Sequence, residues 1–107
     1  MTRFAVGDKV MGRTAAGFAE YSVIAEGETM AKPDALSWEE AAGACLAQWV
    51  AYDMLVPEGE VGAGDWVLVT GISSGVGVAA MQIALARGAR VIGTSGSGPK
   101  LERLKAM

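Results

Sequence analysis

The sequence predicts an α/β fold: the first half of a doubly wound parallel sheet, preceded by the last strands of a separate β region. Three observations lead there. Two short, nearly continuous apolar runs, Trp66–Thr70 and Arg90–Thr94, are each followed by a helical pattern, and runs of this kind belong to strands covered on both faces, as in parallel sheets. The first run passes into a glycine- and serine-rich turn, Val69–Gly77 (VTGISSGVG), of the sort that joins a strand to a helix. The first 30 residues instead carry turn-punctuated stretches rich in aromatic and β-branched side chains.

Taken in order, Gly7-Asp8 sets a turn ahead of a strand at Lys9–Gly12, and Phe18–Ile24 has the composition of a second strand. Two such strands bury little by themselves and need more sheet to pair with. Pro33–Leu36 then leads into a helix whose start is written as a capping box. The Ser37 hydroxyl accepts from a first-turn amide while the Glu40 carboxylate reaches back. Apolar residues follow at helical intervals (Ala41, Cys45, Leu46, Trp49, Tyr52, then Met54 and Leu55), and Pro57 with Gly59 stops the helix. That spacing makes Cys45 a core residue. Gly62–Asp65 turns the chain into the strand Trp66–Thr70. Val76–Arg87 is the next helix, with Val78, Met81, Ile83, Ala84 and Leu85 as apolar surface and Gly88 as its stop. After the strand Arg90–Thr94, Pro99 is placed to open a last helix carrying Leu101 and Leu104. Strand, helix, strand, helix is half of a doubly wound nucleotide-binding fold.

Composition sets the outer limits. At 107 residues, 51% hydrophobic and 20% charged, the chain has room for one modest globular domain or pieces of two. No apolar run approaches the ~18–20 residues that span a bilayer, and the start MTRFAVGDKV has no apolar signal core. No membrane partner and a cytoplasmic location are therefore expected. The single cysteine, Cys45, permits no internal disulfide, and there is no histidine. Nucleophilic catalysis with a histidine base is excluded, and no metal site is expected. Residues 1–84 hold four basic groups against eleven acidic, a net −7, while residues 85–107 hold five against Glu102 alone, a net +4. The overall −3 argues against nucleic acid as a partner. The basic end suits a small phosphorylated ligand, or is charged helix surface.

The glycine turn carries the chemistry. A strand ending at Thr70 and a helix beginning near Gly75 and Val76 leave unpaired amides facing the gap. A phosphate there accepts those amides and meets the positive end of the helix dipole. Gly75 lets the backbone approach the ligand, Gly77 lets the helix pack close to the strand, and Ser73 and Ser74 add hydroxyl donors. The pattern departs from G-x-G-x-x-G: aligned on Gly77, the first glycine position holds Ile72 and the second Ser74. A tight turn without ligand is the competing reading, and the absence of a following Gly-Lys-Ser/Thr disfavours nucleoside triphosphate hydrolysis. At the tip of the second strand, Ser95, Gly96, Ser97 and Lys100 stand where enzymes preferring NAD carry an acid. Serines tolerate a 2′-phosphate and Lys100 attracts one, so NADP(H) is the expected cofactor, with plain helix surface as the other reading of Lys100.

Two superfamilies write such turns alike. TGISSGVG fits the T-G-x-x-x-G-x-G turn of short-chain dehydrogenases, but those enzymes place it close to the N-terminus and use a later Tyr-x-x-x-Lys pair. Here Tyr21 is followed by Ala25 and Tyr52 by Val56. The stretches Phe4–Val10 (FAVGDKV), Gly17–Val23 (GFAEYSV), Leu36–Ala42 (LSWEEAA), Val50–Leu55 (VAYDML) and Gly64–Leu104 (GDWVLVTGISSGVG through KLERL) instead resemble, in that order, the medium-chain dehydrogenase/reductase superfamily. The likeness is greatest to its zinc-free quinone oxidoreductase and enoyl reductase branch. Zinc-dependent relatives place a metal-binding cysteine where this chain has Leu46, and Cys45 is one position off. Many members carry threonine near the nicotinamide at the position of Val50, which offers no hydroxyl and is given no role.

The resemblance implies a GroES-like catalytic domain followed by a Rossmann domain, with NADPH in the cleft between them. Residues 1–36 would be the C-terminal strands of the first, 37–60 a connecting helix, and 61–107 the first two βα units of the second. It further implies that the parent is a homo-oligomeric, NADPH-dependent reductase delivering hydride to a small-molecule quinone or an activated C=C bond. The catalytic residues stay unassigned within this chain. Two alternatives stand beside that reading: a non-catalytic nucleotide-binding fragment or truncated product with exposed sheet edges, and a short-chain enzyme lacking its Tyr-x-x-x-Lys.

Overall fold

The computed structural model describes residues 3–107. It divides into two compact units, Met1–Leu46 and Ala47–Met107, with the division inside a long helix.

In the first unit, β1 (Val10–Gly12) pairs antiparallel with β2 (Thr29–Ala31), Val10 opposite Ala31 and Gly12 opposite Thr29. The turn before β1 is closed by Asp8, whose carboxylate accepts the Ala5 amide at 2.8 Å and whose own amide reaches the Ala5 carbonyl at 3.1 Å. The partner strand is not the expected one. Phe18–Ile24 forms no strand, and Phe18, Tyr21 and Val23 are exposed. β2 instead follows a single 3-10 turn at Glu26–Glu28. Strand-forming side chains describe a half-buried surface and cannot supply the neighbour that buries them. Thr29–Ala31 meets β1 and is held beyond both ends of the pairing by Lys32 N–H to Lys9 carbonyl (2.9 Å) and Arg13 N–H to Glu28 carbonyl (3.4 Å).

Lys32 is buried, donating to the Pro33 and Leu36 carbonyls with its ammonium 5.1 Å from the centre of the Trp38 ring. It pins the turn that leads into α1 (Trp38–Leu55). The capping box forms as expected: the Ser37 hydroxyl accepts the Glu40 amide at 3.1 Å, and the Glu40 carboxylate accepts the Ser37 amide at 2.8 Å. Cys45, expected in a core, is only partly buried. Ala41 and Ala51 are the buried residues of this helix, whereas Leu46, Tyr52 and Met54 are exposed. Apolar residues spread around α1 rather than along one stripe, and a helix apolar on several faces needs cover on several faces.

The second unit is a parallel β-α-β-α arrangement. β3 (Trp66–Thr70) pairs parallel with β4 (Arg90–Thr94), in register from Trp66 opposite Arg90 to Thr70 opposite Thr94. Both strands keep the bounds the sequence predicts. They are joined through α2 (Gly75–Ala86), as a parallel pair requires a crossover, and α3 (Gly98–Lys105) follows β4 with a proline in its first turn. Val69, Ile72 and Met81 form one core cluster with Val67, Ala80, Val91, Leu101 and Leu104 packed on it; Val61, Ala84 and Ala89 form another. α2 and α3 thus feed the same side of the sheet. The expectation that these strands are covered on both faces holds for one face only: Val69 is 8% exposed while its neighbour Leu68 is 64% exposed, and Trp66 and Ile92 lie open with it. The described residues provide helices for one face, and the alternating side chains of a strand report that directly.

Candidate functional site

The turn between β3 and α2 is built from backbone bonds. The Ile72 amide reaches across to the Thr94 carbonyl at 2.9 Å, tying the turn to the tip of β4, and the Ser74 amide closes on the Gly71 carbonyl at 2.9 Å. Gly71 takes φ +68°, a conformation that favours glycine. Ser74 is the N-cap of α2: its hydroxyl oxygen accepts the Gly77 amide at 3.1 Å, and its carbonyl takes the Val78 amide at 2.8 Å. Two of the helix-start donors are thereby used internally. The amides of Gly75 and Val76 have no partner among the described residues, and both residues are exposed.

The two glycines do different work. A Cβ on Gly77 would stand 2.5 Å from the Gly71 carbonyl oxygen and 2.7 Å from Ile72 Cα, so this residue sets how closely helix and turn approach. A Cβ on Gly75 would meet no atom within 4 Å, and would project into open space beside the free amides. Ile72, at the position of a first motif glycine, folds back over β4 at Gly93, where a Cβ would lie 2.8 Å from Ile72 Cγ2. The departure from the glycine motif at 72 is thus matched by a glycine at 93. The sequence reading missed that pair, because its members are 21 positions apart and on different elements.

The second turn lies against the first. Ser73 Oγ and Ser95 Oγ are 2.7 Å apart, and Ser95 Oγ also accepts the Ser97 amide at 3.2 Å. Ser73, Ser95 and Ser97 are half-buried, while Gly96 and Lys100 are exposed. Of the basic residues after position 84, Arg87 donates to the Val61 carbonyl, Arg90 stacks 5.3 Å from the Trp66 ring centre, and Lys105 pairs with Glu102 at 2.8 Å. Lys100 and Arg103 have no such engagement among the described residues. They stand three apart on α3, a spacing that puts them on one side of the helix. Arg103 is absent from the sequence-based site, although its spacing from Lys100 was readable.

Ser73, Ser74, Gly75, Val76 and Gly77 thus lie on one turn, with Ser95, Gly96 and Ser97 on the adjoining one and Lys100 in the first turn of the helix that follows. An apolar hollow of about 210 Å³ adjoins this turn, between the end of α1, β3 and the start of α2, and Ser74, Val76 and Gly77 are among its lining residues. Ligand pockets for drug-sized molecules start at about 300 Å³, so the hollow is too small for a dinucleotide. Among the described residues no group of three His, Cys, Asp or Glu side chains could hold a metal ion, and no helix is long and apolar enough to cross a membrane.

No protein-family model matches the chain. The quinone oxidoreductase of Pongo abelii is 38% identical to it over 96 residues, covering 88% of this chain and 29% of that protein. The crotonyl-CoA reductase of Streptomyces avermitilis is 42% identical over 93 residues, covering 85% of this chain and 21% of that protein. Among solved structures, an alcohol dehydrogenase superfamily protein from Novosphingobium aromaticivorans matches with a TM-score of 0.90 at 36% identity, covering 99% of this chain and 34% of that one. The chain therefore spans between 21% and 34% of the length of these relatives.

Proposed function

The chain belongs to the medium-chain dehydrogenase/reductase superfamily, in its quinone oxidoreductase and enoyl reductase branch, and on that footing we propose that it is part of an NADPH-dependent oxidoreductase. The acceptor is a quinone or an activated C=C bond. Residues 1–36 are assigned to a GroES-like catalytic domain, 37–60 to a connecting helix, and 61–107 to the first two βα units of a Rossmann domain. The observation that carries the reading is the start of α2: the Gly75 and Val76 amides have no partner among the described residues, and the missing Cβ of Gly75 leaves open space beside them.

That cradle fits a pyrophosphate. The Gly75 and Val76 amides bind its oxygens, the helix dipole favours its charge, and Gly77 holds both amides at the strand end. The tip Ser95–Lys100, free of acidic side chains, receives a 2′-phosphate, with the Lys100 ammonium supplying charge. NADPH, when bound, supplies the hydride. This chain's residues contribute binding and orientation, and the rate enhancement of such an enzyme rests on positioning and electrostatic stabilisation of the acceptor oxygen. No acid or base is assigned here. Zinc independence is proposed on the donor set, since the chain has no histidine and one cysteine.

For these 107 residues alone, nucleotide binding without turnover is the second reading. It is favoured by the uncovered Phe18, Tyr21, Trp66, Leu68 and Ile92, which mark surface awaiting other protein. Fluorescence titration with NADPH and NADH, followed by NADPH oxidation with 1,4-benzoquinone or an enone, separates the possibilities. Tighter NADH than NADPH binding overturns the cofactor assignment. Confirmed binding with a flat oxidation trace selects the second reading.

A further inference from the structure

The Ser73–Ser95 contact joins the turn proposed for the pyrophosphate to the tip proposed for the 2′-phosphate, and the protons of the pair limit what each serine can do. A serine hydroxyl has one proton and two lone pairs. Ser95 Oγ already accepts the Ser97 amide at 3.2 Å and lies 2.7 Å from Ser73 Oγ. Between them the two hydroxyls hold two protons, and their mutual bond consumes one. One proton remains for a ligand, and the pair cannot supply two.

Which serine keeps it depends on where an anion stands. With an anion at the start of α2, the favourable arrangement is a directed chain: Ser97 N–H to Ser95, Ser95 O–H to Ser73, Ser73 O–H to the anion. Each bond polarises the next, and the last is charge-assisted. The Ser73 hydroxyl is the chain's outlet because it is carried on the same turn as the free Gly75 and Val76 amides.

We infer that Ser95 is a positioning residue that acts through Ser73, turning the Ser73 proton toward the pyrophosphate, and is not itself a contact for the 2′-phosphate. The inference rests on the dinucleotide reading and deepens it. It moves Ser95 from the feature that separates NADPH from NADH to the feature the two cofactors share. Discrimination is then left to Ser97, Gly96 and Lys100.

The test uses the full chain and the variants Ser73→Ala, Ser95→Ala, the double variant and Ser95→Thr, each titrated with NADPH and with NADH and each melted without ligand. Ser73→Ala and Ser95→Ala are each expected to weaken both cofactors by a similar factor, roughly ten- to a hundredfold for one hydrogen bond to a charged group. The double variant binds no worse than Ser73→Ala, because without the Ser73 hydroxyl there is nothing for Ser95 to orient. Ser95→Thr, which keeps the hydroxyl, recovers most of the affinity. A loss at Ser95→Ala confined to NADPH overturns the inference by making Ser95 a 2′-phosphate contact. Losses that multiply in the double variant overturn it too, as does a lowered melting temperature with unchanged affinity. If the unaltered chain binds neither dinucleotide, the functional reading fails and this inference with it. Binding by the unaltered chain together with any of the other adverse results sinks this inference alone.

Discussion

Replacing Gly77 by alanine tests the close approach on which the proposed site depends. The new Cβ would stand 2.5 Å from the Gly71 carbonyl oxygen, 2.7 Å from Ile72 Cα and 2.9 Å from Ile72 C, whereas ordinary contact begins at about 3.4 Å. All three obstacles are backbone atoms that no rotamer change can move. The start of α2 must therefore withdraw by about 0.9 Å, the difference between 3.4 and 2.5. That withdrawal stretches the 3.1 Å bond from the Gly77 amide to the Ser74 hydroxyl toward 4 Å and breaks the cap. A lost cap costs about 1 kcal/mol, and the overpacking adds about 1–3 kcal/mol. The higher helix propensity of alanine offsets about 1 kcal/mol of this. The net expectation is a loss of about 1–3 kcal/mol, read as a lower urea midpoint at unchanged m-value. NADPH affinity falls with it, because the Gly75 and Val76 amides ride on the displaced turn. Gly75→Ala is the matched control: its Cβ meets nothing within 4 Å, so stability holds while a ligand needing that space is repelled. An unchanged midpoint in Gly77→Ala would refute the packing argument. Undiminished NADPH binding in Gly75→Ala would refute the cradle.

Three further tests follow from the structure. Ser37→Ala removes the hydroxyl that accepts the Glu40 amide at 3.1 Å and is expected to lower stability by about 1 kcal/mol, measured by urea denaturation; Ser37→Asp, which keeps a cap, restores it. Lys100→Glu places a negative charge where the 2′-phosphate is proposed to sit. It is expected to weaken NADPH roughly tenfold or more at low salt, with a smaller effect at high salt, and to leave NADH binding within about twofold; equal losses for both cofactors would remove Lys100 from the site. Leu68→Ser is expected to change stability by at most about 0.5 kcal/mol, as at other exposed positions. Val69→Ser, one residue on and facing the core, is expected to cost about 2–3 kcal/mol, and equal costs would show that both faces of β3 are buried.

The bounds of β3 and β4, the capping box at Ser37 and the glycine stop at Gly88 were all legible, because each is decided within a few residues. Phe18–Ile24 was misread for the opposite reason. Its composition is that of a strand, but pairing depends on a partner, and the short Thr29–Ala31 takes the place on β1 with little apolar signal of its own. Cys45 and Leu68 failed in the same way: periodicity identifies which residues share a face, not whether anything covers that face. At the turn, the sequence located the residues without assigning their bonds. It offered Ser73 and Ser74 alike as donors without showing that the Ser74 oxygen also caps its own helix at the Gly77 amide while Ser73 turns to Ser95. The Ile72–Gly93 pair had no local sign at all.

What the bonding pattern adds is an economy of donors that the letters VTGISSGVG conceal. Five residues of that stretch, Ser73 to Gly77, look able to serve a phosphate. Gly77 and Val78 spend their amides on Ser74, whose hydroxyl oxygen accepts the first of them and keeps its own proton. Among the described residues the Gly75 and Val76 amides have no partner and the Ser74 hydroxyl keeps a proton to donate, while Ser73 brings a hydroxyl whose direction depends on Ser95. A cradle with so few donors gains most from each being held in place, since an unsatisfied or misdirected donor against an anion is lost in full. Substitutions that leave every donor present but loosen the frame, at Gly77, Gly93 or Ser95, should therefore weaken binding about as much as removing the Ser73 hydroxyl outright. A set of such frame variants that melted earlier yet bound NADPH normally would show that the ligand itself imposes the geometry, and that the turn need not be prearranged to receive it.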